Sequence, residues 1–85
     1  MTLRLTRPFS KQFVKLPQAV QQKFNRQVKT LAVDFRHPSL HTKRIKGTPN
    51  IWEARIDYHH RFTFQVINDL LVLRRIGPHD ILKQP

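Results

Sequence analysis

The sequence predicts an α+β fold: an N-terminal strand and a helical hairpin packed on one face of a small antiparallel sheet, in the order β-α-α-β-β-β. Three observations predict it. Val20, Phe24, Val28, Leu31 and Phe35 fall 4, 4, 3 and 4 apart, the repeat of one helix face. After residue 50 the apolar repeat changes to two, as in half-buried strands. Proline, glycine and asparagine clusters separate these segments.

In chain order, Leu3 and Leu5 alternate with Thr2, Arg4 and Thr6, which reads as a short, half-buried first strand. Pro8 suits the first turn of a helix, with Thr6 or Arg7 just before it. Phe9, Phe13 and Leu16 share one face of that helix, and Pro17 ends it because a residue preceding proline avoids the helical region. The long helix then starts at Pro17, carries polar Gln21, Gln22, Lys23, Asn25, Arg26, Gln27 and Lys29 on its other side, and is closed by Pro38. Residues 39–50 read as a basic connection anchored by Leu40 and Ile45 and ending in the turn cluster Gly47-Thr-Pro-Asn50.

Three strands are expected next, over Ile51–Asp57, Arg61–Ile67 and Leu70–Ile76, with Gly77-Pro78 breaking the last and His79–Pro85 as a short tail. A three-residue loop at Tyr58-His59-His60 would pair Asp57 with Arg61, Arg55 with Thr63 and Glu53 with Gln65. That parity gathers Trp52, Ala54, Ile56, Phe62, Phe64 and Val66 on the helix side and every polar residue of both strands on an open, charged face. A two-residue turn at Asn68-Asp69 places Arg74 on the open face opposite Thr63 and Arg75 inward, unless a bulge intervenes.

At 85 residues the chain is one domain, 1–85, with a single core. The absence of cysteine excludes a disulfide framework and a thiolate metal site, and leans towards the cytoplasm. No apolar stretch approaches the roughly 20 residues of a membrane span, and Met1–Ser10 lacks the apolar run of a signal peptide. Sixteen Lys and Arg against five Asp and Glu give a net charge of +11, and no acid precedes Asp34. Such a domain repels itself and calls for a polyanion, nucleic acid first, or an acidic protein partner.

A cationic face bearing arginine and histidine suits a phosphodiester. Arginine offers a fork of donors to phosphate oxygens and stays charged. Imidazole titrates near neutrality and moves a proton in either direction. RNA cleavage by its own 2′-OH needs little more: a base for that hydroxyl, cations for the pentacoordinate phosphorus, and an acid for the leaving 5′-oxygen. Arg61 is the first candidate, as a phosphate clamp, against the alternative of a surface arginine paired with Asp57. His79 is the candidate acid, against a solvated tail histidine. Glu53 is either a base or a neutralising partner for Arg55 or Arg61. Lys43, Arg44 and Lys46 border the face and, with Arg55 and Arg74, are the candidate RNA-binding residues. His59 and His60 read as exposed loop residues, Tyr58 as a loop residue able to stack on a base, and Trp52 as core. His37 and His41 lack zinc-ligand spacing, so no metal or other cofactor is expected.

Four motifs in order resemble the RelE/ParE toxin superfamily: Phe13-Val-Lys-Leu-Pro17 before an amphipathic helix; His37-Pro-Ser-Leu40 leading through Lys43-Arg-Ile-Lys-Gly47 to Ile51-Trp-Glu-Ala-Arg-Ile56; His60-Arg-Phe-Thr-Phe64; and Leu70-Leu-Val-Leu-Arg-Arg-Ile-Gly-Pro-His-Asp80, similar to the ending of the YafQ-like branch. The resemblance implies a type II toxin of a toxin–antitoxin pair, a metal-independent mRNA interferase that cuts mRNA on the ribosome in the cytoplasm, binds a small cognate antitoxin, and is monomeric when free. It makes Arg61 the phosphate-stabilising arginine, and Arg75 and His79 the arginine and histidine of the YafQ-like ending. Glu53 and Arg55 stand where RelE proper has lysines. The alternatives are a ParE-like inhibitor of DNA gyrase and an inactive member that only binds RNA or its antitoxin.

Overall fold

The structure, a computed structural model, describes all 85 residues. Strand β1 covers Thr2–Leu5, helix α1 Arg7–Phe13, helix α2 Gln18–Val33, and strands β2 to β5 cover Lys43–Arg44, Trp52–Arg55, His60–Ile67 and Leu70–Pro78. Short 3-10 turns at Pro38–Leu40 and His79–Lys83 complete the chain. The sheet order is β1-β5-β4-β3-β2. It is antiparallel from β2 to β5, and β1 adds an edge parallel to β5, with Leu3 opposite Leu71 and Leu5 opposite Leu73. Contrary to the half-buried reading, β1 is exposed throughout, because the helices lie over the middle of the sheet and leave its edge bare. No helix is long and apolar enough to cross a membrane.

Thr6 caps α1 by accepting from the Phe9 N–H at 3.3 Å, with Pro8 in the first turn. Gln21 donates to the carbonyls of Phe13 and Leu16 at 2.9 and 3.2 Å, so the end of α1 is tied to the start of α2. The apolar side of α2 buries Val20, Phe24, Val28 and Leu31 against Phe9, Phe62, Phe64, Leu71, Leu73 and Ile76. α2 ends at Val33 rather than at Pro38. Asp34 is extended and its carboxylate accepts from the Arg36 N–H, an Asx turn that swings Phe35 off the helix and edge-on to Trp52 at 5.2 Å.

Three expectations about the sheet need correction. The basic connection contains a strand, β2, that pairs Lys43 with Glu53 and Arg44 with Trp52. The β3–β4 register is shifted by two from the expected one: Arg55 faces Arg61, and Glu53 faces Thr63. The cause is Asp57, whose carboxylate accepts from the His59 and His60 N–H groups at 2.9 and 2.8 Å and from the His60 ring at 2.9 Å, stabilising a longer loop. A slip of two preserves parity, so both faces keep their expected residues. Finally, β5 is bulged. Thr63 faces Arg75, Phe64 faces Leu73, and Arg74 is the extra residue. The Thr6 hydroxyl lies 3.0 and 2.9 Å from the carbonyls of Leu73 and Arg74, and Gln12 accepts from the Ile76 N–H at 3.0 Å, so α1 supplies partners where the ladder is interrupted. The bulge restores the phase, and Arg75 stands opposite Thr63 on the outer face rather than inward.

The outer face is not left open. After Pro78 the chain turns back across it. Ile81 sits over Gly77, where a Cβ would lie 3.1 Å from Ile81 Cγ2. Thr63 Oγ1 and Arg74 Nε both donate to the main-chain oxygen of Pro85, at 3.0 and 3.1 Å. Thr63 is fully buried as a result.

Candidate nucleic-acid cleavage site

Folding the tail across the face divides the sequence-predicted residues among several recesses. Arg55 at the end of β3, Arg61 near the start of β4 and His79 just after β5 come together, with Tyr58, His59, Pro78 and Asp80, around one recess of about 630 Å³. Arg75 lines a different recess of about 390 Å³ with Gln12, Lys83 and Gln84, and Asp80 and Ile81 belong to its wall. Glu53 lies in a third, of about 360 Å³, with Lys43, Arg44 and Lys46. Arg74 reaches Gln65 Oε1 at 3.1 Å as well as Pro85, so its guanidinium is engaged within the fold.

Arg61 is only 9% exposed, and loop carbonyls offset part of the cost of burying its guanidinium. All its side-chain hydrogen bonds run from Nη1, to the carbonyls of Asp57 (2.6 Å), Tyr58 (3.2 Å) and His60 (2.9 Å). The β3–β4 loop therefore grips one nitrogen, while Nε and Nη2 have no protein acceptor. Arg61 is paired with the Asp57 main chain and not, as the sequence alternative had it, with the Asp57 carboxylate. That carboxylate serves the loop instead. Burial acts to raise its pKa, but hydrogen bonds from the His60 ring and from the His60 and His59 N–H groups, with the charge of His60, outweigh burial and hold it below the ordinary value of 3.8. The Asp57 carboxylate and the His60 ring nitrogen Nδ1 lie 2.9 Å apart, and no Lys or Arg side chain is paired with a carboxylate. Glu53 pairs with neither Arg55 nor Arg61.

Arg55 and His79 are exposed, and His79 has no hydrogen-bond partner in the protein. His59 is also exposed, and its ring stands edge-on to Tyr58 with centroids 5.0 Å apart. The recess thus offers two guanidinium groups, two imidazoles and a phenol against a single carboxylate, Asp80. Chemically it can hold an anion at the arginines and exchange protons beside it. Sequence reasoning missed His59, Pro78 and Asp80. Proximity of His59 to His79 arises only when Arg61 pairs with Gly77 and His60 with Pro78, which brings the β3–β4 loop beside the end of β5.

No family model matches the chain, and no curated relative does. Solved structures do. The chain is similar to the YoeB/ParE toxin from Agrobacterium tumefaciens, with a TM-score of 0.82 and 19% identity over 93% of this chain and 99% of that one. It is similar to a chain of the RelB-RelE antitoxin-toxin complex from Methanococcus jannaschii, with a TM-score of 0.76 and 17% identity over 94% of both chains. It is also similar to a chain of the intact E. coli RelBE toxin-antitoxin complex, with a TM-score of 0.75 and 16% identity over 91% of this chain and 94% of that one.

Proposed function

We propose that this chain, which has the RelE/ParE toxin fold, is the toxin of a type II toxin–antitoxin pair and a ribosome-dependent endoribonuclease that cuts mRNA in the cytoplasm. The observation that carries the reading is the single recess joining Arg55, Arg61 and His79. The scissile phosphate binds at the open edge of Arg61, with Arg55 beside it. The ribose 2′-OH loses its proton and attacks phosphorus. The O2′–P bond forms, the P–O5′ bond breaks, and His79 donates a proton to O5′. The two guanidinium groups stabilise the charge that gathers on the phosphorane oxygens, where fixed donors act most strongly. The products are a 2′,3′-cyclic phosphate and a free 5′-hydroxyl.

The net charge of +11 supports a polyanionic target, and Lys43, Arg44 and Lys46, clustered on the β2 side, supply further phosphate contacts. The neighbouring complexes contain RelB beside RelE, and an acidic antitoxin is the partner that this charge would accept. Glu53 has no role in this scheme, since it lines a different recess, and Arg75 borders the site without entering it.

The test is purified protein added to a translating extract, with and without a chelator. Cleavage of mRNA within the reading frame, leaving cyclic phosphate ends and persisting in the chelator, is expected. Arg61→Ala and His79→Ala should each abolish cutting, with circular dichroism showing that the variants fold. Intact mRNA together with blocked DNA supercoiling would replace this reading with gyrase inhibition.

A further inference from the structure

The proposed reaction needs two proton-transfer groups, and the recess names only one so far. Glu53, the carboxylate that the sequence offers as a base, lines another recess. We infer that His59 is the general base that takes the 2′-OH proton, working with His79 as the acid, an inference that rests on the endoribonuclease reading.

Geometry and chemistry agree on this pair. His59 and His79 both line the recess, one carried by the β3–β4 loop and the other following β5, with the arginines of β3 and β4 also in its lining. In-line displacement needs one group for the proton of the attacking oxygen and another for the leaving oxygen, and this recess supplies two imidazoles beside its arginines. Two imidazoles also satisfy the protonation requirement near neutrality. The reaction asks one group to accept a proton while the other donates one, with the roles reversed in the back reaction, and imidazole can do either. The groups facing them are Arg55 from β3, Tyr58 on the loop, Arg61 from β4 and Asp80 after β5.

The position of His59 is built rather than accidental. Its main-chain N–H is fixed to the Asp57 carboxylate at 2.9 Å, and Arg61 Nη1 holds the loop carbonyls on either side of it, at Tyr58 and His60. The same contacts that hold the phosphate clamp therefore fix the main chain that carries the imidazole. His60, the neighbouring histidine, is committed to Asp57 and lies in the wall of a separate recess near Lys15 and Leu16, away from the arginines.

The experiment uses ribosome-bound mRNA carrying a single bridging 5′-phosphorothiolate at the mapped cleavage position, beside ordinary mRNA. Sulfur leaves without a proton, so only the base is required. His79→Ala should lose at least 100-fold on ordinary mRNA and recover most of it on the thiolate substrate. His59→Ala should lose a similar factor on both. The wild-type rate should follow a bell-shaped pH profile, and His59→Ala should lack its acidic limb. His59→Ala that cuts ordinary mRNA at the wild-type rate, or that is rescued by the thiolate, overturns the assignment of the base. Wild-type protein that cuts neither substrate overturns the endoribonuclease reading itself.

Discussion

Phe62 and Thr63 are adjacent in β4 and both are fully buried, yet they face opposite sides of the sheet and are covered by different means. Phe62 packs edge-on against Phe24 of α2 at 5.0 Å, inside a cluster of thirteen buried apolar residues. Thr63 lies under the returning tail and donates to a Pro85 oxygen, and its neighbour Arg61 is held by three carbonyls. The helix side is closed by apolar area, which is non-directional and forgiving of small shifts. The outer side is closed by hydrogen bonds to specific main-chain oxygens, which fix position more than they add stability. The recess of Arg55, Arg61 and His79 lies on the second kind of surface, where direction is specified.

Substitutions on the two faces should therefore differ in both size and kind. The largest loss of stability is expected for Phe62→Ala, about 3–5 kcal/mol by denaturant unfolding, because the aromatic cluster loses its middle and leaves a cavity. A loss below about 1 kcal/mol would break the contrast.

Asp57→Ala comes next, at about 1–2 kcal/mol, since three donors lose their acceptor. Here the pH matters. Because the native carboxyl binds its proton less tightly than the unfolded chain does, its contribution is complete above the ordinary value of 3.8 and drains away as pH falls from there through the lowered pKa. The stability gap between wild type and variant should narrow over that acid window, and a gap that stays constant would show that the carboxylate's charge is irrelevant. Thr63→Val should cost least, about 0.5–1.5 kcal/mol, because Arg74 still donates to the same oxygen.

Legibility in the sequence divides along the same line. Which residues face the helices was readable for β3 and β4, since alternation survives a register slip of two. The true pairing was not, because Asp57 adds length to the loop through its own side chain. The inward reading of Arg75 was a sign of the bulge, but its position is set by Thr6 and Gln12, sixty or more residues away in the chain. The half-buried reading of β1 failed because alternation says nothing of where a strand lies relative to the helices. The shared face of Arg55 and Arg61 followed from strand alternation, whereas His79 was singled out by the family resemblance, and one recess is lined by all three. His59 was passed over because loop histidines are usually solvated, and only the pairing of β4 with β5 brings it into one recess with His79. The tail's return over Thr63 has no local signature, being made by long-range contacts to Pro85.

Arg74 has one more consequence. It is the surplus residue between two stretches of regular ladder, so its removal would leave Phe64 opposite Leu73 and Thr63 opposite Arg75 as before. β5 thus carries a unit of slack at that point. A single-residue loss is absorbed there without turning Gly77 and His79 to the wrong side, whereas the same loss between Arg75 and Gly77 would rotate the whole C-terminal turn out of place.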